Sequence, residues 1–117
     1  MKLFVYGTLK RGHSRAHLLH GQRFVGEGRT LPKYRLYNCG GFPGLVPDEL
    51  DGRAIEGEVW DVDAACLKTL DKVEGVAEGL YRRTTVELES PFDAQRVETY
   101  LYARNIAGLV DCGCRWL

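Results

Sequence analysis

Short apolar runs separated by glycine-rich polar stretches set the pattern of this chain. The first run, Leu3-Phe4-Val5-Tyr6, is unbroken and rich in branched and aromatic types, which predicts a strand buried on both faces. Phe24-Val25-Gly26-Glu27-Gly28 and Tyr34-Arg35-Leu36-Tyr37 read as two further short strands, with Leu31-Pro32 between them. Cys39-Gly40-Gly41-Phe42-Pro43-Gly44-Leu45-Val46-Pro47 holds three glycines and two prolines, and reads as an irregular ordered loop rather than a strand. Strand character returns at Ile55–Val62, where Gly57 marks a bulge or a close approach. Asp63 is the expected N-cap of a helix over Ala64–Val73, with Gly75 as its stop.

Two alternating runs follow Gly79. Arg82, Thr84, Val86 and Leu88 share one face of the first; Val97, Thr99, Leu101 and Ala103 share one face of the second. Ser90-Pro91-Phe92-Asp93-Ala94 joins them, which predicts a hairpin. The tail to Leu117 has no clear period. No linker or internal repeat divides the chain, so a single domain over residues 1–117 is expected.

Composition narrows the classes. The chain is 44% hydrophobic, enough for a core and too much for disorder. Sixteen basic and sixteen acidic residues give zero net charge, which argues against a nucleic-acid partner and against electrostatic docking on a membrane. No apolar run approaches the ~20 residues of a membrane span. The sequence begins directly in a strand without a signal-peptide pattern, and the expectation is a soluble cytoplasmic protein.

Cys39, Cys66, Cys112 and Cys114 read as free thiols, since Cys112-Gly113-Cys114 has neither redox-motif nor zinc-ligand spacing. A cysteine-based hydrolase lacks a His or Asn placed beside a Cys. Ser14 is a candidate cap, and Gly21 a stop, for a short helix carrying His13, His17 and His20 near one face. No carboxylate follows at a spacing that would complete a ligand set, so neither metal nor cofactor is expected.

Two places hold candidate chemistry. Gly7 and Gly12 bracket a loop that leaves the first strand, where backbone N–H groups suit a carboxylate, a phosphate or an oxyanion. The spacing Gly7-x4-Gly12 matches the start of a phosphate-binding loop, but His13 and Ser14 stand where Lys and Ser/Thr belong. A plain strand followed by a glycine turn fits the pattern as well. In the helix, Leu67, Leu70 and Val73 form the apolar stripe, and Glu74 falls on that same side at its last turn. Burial and the negative end of the helix dipole would both raise its pKa, as a general acid or base near neutral pH requires. An exposed glutamate at a frayed helix end is the other reading.

Val5-Tyr6-Gly7-Thr8-Leu9-Lys10-Arg11-Gly12, Phe42-Pro43-Gly44-Leu45-Val46, Gly57-Glu58-Val59-Trp60 and Leu70-Asp71-x-x-Glu74-Gly75 occur in this order, followed by Tyr81-x-Arg83. In these motifs the chain resembles the γ-glutamylcyclotransferase-like family, particularly its γ-glutamylamine cyclotransferase and AIG2-like branch. The resemblance implies an α+β fold: a small, mixed, largely antiparallel, barrel-like sheet with a few helices. It implies a substrate loop of Tyr6, Gly7, Thr8, Leu9 and Lys10, an acid/base at Glu74, and Tyr81 as a wall residue. It also implies a small-molecule γ-glutamyl substrate, cyclised to 5-oxoproline without metal, cofactor or protein nucleophile. A non-catalytic binding module that keeps the cavity is the alternative.

Overall fold

The computed structural model describes residues 1–117. Alternation along strand β1 (Lys2–Val5) sends Leu3 and Val5 to one side and Phe4 to the other, and all three are buried. Both faces are covered, as the unbroken apolar run predicts. Seven further strands complete one sheet: β2 (Arg23–Arg29), β3 (Tyr34–Asn38), β4 (Pro43–Pro47), β5 (Glu56–Asp61), β6 (Tyr81–Thr85), β7 (Val97–Tyr102) and β8 (Val110–Asp111). A single α-helix, α1 (Ala64–Val73), lies between β5 and β6, so the fold is mixed α+β and mostly sheet.

The strand order is β2-β5-β1-β7-β4-β3-β8, with β6 on the other edge of β7. Most pairings are antiparallel, whereas β7 runs parallel to both β1 and β4. The sheet curls into a half-barrel. Phe4, Leu36, Leu45, Ile55, Val59 and Leu101 fill one side of it. Leu3, Val5, Leu9, Leu19, Leu70 and Tyr100 pack on the other, beneath the helix.

The fork at β7 creates the room for a site. Its first residues, Val97 and Glu98, pair with Lys2 and Leu3, but further along Leu101 pairs with Leu45 of β4. β1 therefore parts from β7 at the point where the chain enters the Tyr6–Gly12 loop. Tyr6 bridges the gap: its hydroxyl donates to the Tyr100 carbonyl at 2.6 Å and accepts from the Leu45 N–H at 3.2 Å. A side chain here replaces ladder hydrogen bonds that the parted strands no longer make.

Two sequence expectations change, and the expected hairpin gains a feature. Pro43–Pro47 is a strand, not a loop; its prolines sit at the two ends, where a missing N–H does not break the ladder with β3. The hairpin β6–β7 forms, but nearly every residue of β7 is buried, so its alternation divides two cores rather than core from solvent. The segment after Ser14 is one 3-10 turn, Ala16–Leu19, preceded by Arg15 with no side-chain cap. The expected close approach at Gly57 is present: a Cβ there would lie 2.5 Å from the Val5 carbonyl oxygen and 2.6 Å from the Phe4 ring. The bulge lies instead on the partner strand, between Phe24 and Gly26.

Candidate active site

Helix α1 begins and ends as its sequence predicts. The Asp63 carboxylate accepts the Cys66 N–H at 2.7 Å. At the other end Gly75 takes φ +66°, and the N–H groups of Gly75 and Val76 return to the carbonyls of Lys72 and Asp71. These paired bonds make a Schellman stop. Glu74 is the C-cap residue, held in αR conformation by its N–H to the Leu70 carbonyl at 2.8 Å. Its side chain enters a cavity of about 90 Å³ between the helix end and the first loop.

The cavity is largely apolar and aromatic. Val5, Leu9, Phe42, Pro43, Leu80 and Tyr81 supply most of its wall. Tyr81 is buried and its hydroxyl donates to the Pro43 carbonyl; its ring meets Phe42 and Tyr102 at centroid distances of 6.4 and 5.5 Å. Burial holds the pKa values of Tyr6 and Tyr81 far above the ordinary phenol value, so both hydroxyls stay protonated and committed to carbonyl oxygens.

Glu74 is the one acid in this lining and Arg15 the one fixed cation. Burial raises the Glu74 pKa, and the Arg15 charge opposes that rise without cancelling it. No hydrogen bond from the protein holds the carboxylate. It is therefore a free acceptor facing a cavity.

Across from it the loop spends its carbonyls and keeps its amides. The Gly7 carbonyl accepts from Lys10 N–H at 3.1 Å, and the Thr8 carbonyl from Arg15 N–H at 2.8 Å. The N–H groups of Gly7, Thr8 and Leu9 donate to no protein acceptor. Three successive donors at a cavity wall suit a carboxylate or a developing oxyanion. Gly7 itself does not take a positive φ. It must lack a side chain because a Cβ would stand 2.2 Å from Cγ of Pro43.

The structure thus gathers Tyr6, Gly7, Thr8, Leu9, Glu74 and Tyr81 around one cavity. It does not bring the Lys10 side chain there. That residue is buried on the far side of the loop, where its ammonium donates to the Trp116 carbonyl at 2.7 Å. Its neighbour Arg11 is fixed to Glu58 of β5 through its N–H and its Nε, both at 3.0 Å. His17 and His20 are exposed, and nowhere do three His, Cys, Asp or Glu side chains converge on a metal-sized point.

Sequence reasoning missed Arg15, Phe42, Leu80 and Tyr100. Phe42 carried a signal, being an aromatic residue in a glycine-proline stretch. Arg15 carried none, since an arginine in a polar segment is normally solvated.

Comparison with known proteins follows the same outline. The family model described as gamma-glutamyl cyclotransferase, AIG2-like, matches residues 3–116. The human gamma-glutamylaminecyclotransferase is 36% identical over 87% of this chain and 77% of its own length. The gamma-glutamylcyclotransferase family protein ytfP of Citrobacter rodentium is 31% identical over 100% of this chain and 96% of its own. Among solved structures, an AIG2-like protein from Mus musculus superposes with a TM-score of 0.75 at 30% identity, over 87% of this chain and 76% of that one.

Proposed function

The chain belongs to the gamma-glutamyl cyclotransferase, AIG2-like family, and on that footing we propose that it cyclises a γ-glutamyl group to 5-oxoproline and releases the amine attached to it. The observation that carries this reading is the unpaired, desolvated Glu74 carboxylate across a small cavity from three unpaired loop amides.

A γ-glutamyl amide brings its own nucleophile. Its α-nitrogen reaches the γ-carbonyl carbon at five-membered-ring distance, so the protein has to fold the substrate and manage protons. Holding such a conformer can supply roughly 7–11 kcal/mol of the barrier. Glu74 takes a proton from the α-ammonium, and the freed lone pair forms the ring N–C bond. The carbonyl electrons move to oxygen, where the Gly7, Thr8 and Leu9 amides are placed to bind the oxyanion or the neighbouring carboxylate. Collapse breaks the C–N bond to the leaving amine, which takes its proton from the Glu74 carboxyl. Glu74 then takes the second proton from the ring nitrogen and passes it to the released amine, so two protons leave the α-nitrogen, two reach the leaving nitrogen, charge balances and no water is consumed.

The other parts support this chemistry. Tyr81 and Phe42 keep water from the reacting atoms, and Tyr6 holds open the strand fork beneath them. Lys10 acts from behind the loop, through the Trp116 carbonyl, to fix its shape. The test is release of 5-oxoproline from a panel of γ-glutamyl amines and γ-glutamyl amino acids by the purified protein. The expected result is turnover of at least one of them; tight binding across the panel with no 5-oxoproline would instead describe a binding module.

A further inference from the structure

Arg15 is the one charge of the cavity lining that the proposed reaction leaves without a task. It sits at the mouth and is exposed. Its guanidinium makes no ion pair with any acid of the chain, as is also true of Arg53, Arg82, Arg104 and Arg115, but of these five only Arg15 lines the cavity. Its backbone is anchored to the loop, because the Arg15 main-chain N–H is bonded to the Thr8 carbonyl at 2.8 Å. A cation at a pocket mouth with no ion-pair partner suits an anionic group on whatever projects there.

Which end of the substrate projects follows from the reaction. This inference rests on the cyclisation proposed above. The α-nitrogen must reach Glu74 and the γ-carbonyl must reach the loop amides, so the γ-glutamyl unit goes inside. The cavity, at about 90 Å³, is well below the ~300–1,000 Å³ that holds a drug-sized ligand. The folded γ-glutamyl unit fills it, and the leaving amine extends through the mouth past Arg15. The substrate's own α-carboxylate is on the carbon that bears the reacting nitrogen. It therefore lies within, beside the loop amides.

We infer that Arg15 is a specificity residue that pairs with a carboxylate on the leaving amine, so that this chain favours γ-glutamyl α-amino acids over γ-glutamyl amines without a carboxylate. The guanidinium fork matches a carboxylate with two parallel N–H bonds, and an alkyl amine gives it nothing to hold.

The experiment uses two substrates of nearly equal shape, γ-glutamylglycine and γ-glutamylethylamine, with kcat and KM measured from 5-oxoproline release. The wild type is expected to favour γ-glutamylglycine by about 2- to 10-fold in kcat/KM, the range of one solvent-accessible bidentate charge pair. Arg15→Gln is expected to collapse that ratio toward one, chiefly by raising KM for γ-glutamylglycine, and Arg15→Lys to restore part of it. A wild-type preference for the ethylamine substrate overturns the inference. So does an equal fall for both substrates in Arg15→Gln, which would place the guanidinium on the α-carboxylate instead. Either result leaves the cyclisation standing, whereas a wild type that releases 5-oxoproline from neither this pair nor the wider panel overturns both.

Discussion

At the level of single residues, the proton transfers proposed for Glu74 depend on the surroundings of its carboxylate. Burial raises the Glu74 pKa above the ordinary 4.5, and the protein offers it no hydrogen bond that would reverse the effect. In the proposed reaction the base form takes the first proton, so kcat/KM is expected to rise with pH through an inflection above 4.5. Arg15 pulls the same pKa down, so Arg15→Gln should move that inflection further up. A rate profile with its acid limb at or below 4.5 would contradict the burial argument. The stability consequence has the matching sign. A carboxyl whose folded pKa is raised stabilises the fold below its unfolded pKa, and that contribution is lost as pH rises through the folded value. Glu74 was legible from the sequence because three apolar residues at helical spacing set the phase of its face. Arg15 was not, because a cation at a pocket mouth looks like any solvated arginine until the loop bringing it there is seen.

At the scale of elements, the loop after β1 and the strand β4 act as one unit. The sequence marks Gly7 as a place where backbone can approach a ligand, whereas the structure shows that the room a Cβ would need is taken by the Pro43 ring. Gly7→Ala would put a methyl 2.2 Å from Cγ and 3.0 Å from Cδ of that buried proline. Overpacking of this kind typically costs about 1–3 kcal/mol. Since the loop amides would move with it, 5-oxoproline release should fall as well. Urea unfolding and rate measurements on the same preparation check this, and a variant with wild-type midpoint and rate would show that the contact is dispensable. β4 itself was hidden by its composition. Proline and glycine signal loops on average, and only the position of the prolines at the strand's ends makes Pro43–Pro47 compatible with a ladder. The helix, by contrast, was readable to the residue, since Asp63 and Gly75 carry their capping chemistry in their own side chains or lack of one.

At the scale of the whole molecule, the site is where the curled sheet divides. β1 and β4 share one edge of β7, and the gap between them is bridged by Tyr6 and roofed by the end of α1. A network anchors that roof. Arg83 of β6 grips both oxygens of Asp71 on α1, at 2.9 and 3.2 Å, and also bonds Glu98 of β7. The Tyr100 hydroxyl adds a third contact to Asp71 at 2.7 Å. Burial would raise the Asp71 pKa, but the Arg83 and Tyr100 hydrogen bonds outweigh it and hold the value down. Glu74, three residues on, is thus carried on a helix end tied to two strands. The sequence showed the classes of element and most strand positions. It could not show the fork, because the parallel pairings of β7 join residues about fifty to a hundred positions apart, and no local pattern encodes them.

The acid/base role proposed for Glu74 is tested by 5-oxoproline release from Glu74→Gln beside the wild type, on a substrate the wild type accepts. Glutamine keeps the size of the side chain and removes the base, so the cavity should persist and the fold should be as stable or more so at neutral pH. The rate is expected to fall by at least the ~10²–10⁴-fold typical of general acid–base catalysis, since one group serves both proton transfers. A folded Glu74→Gln protein that releases 5-oxoproline at close to the wild-type rate would mean that Glu74 is not the acid/base.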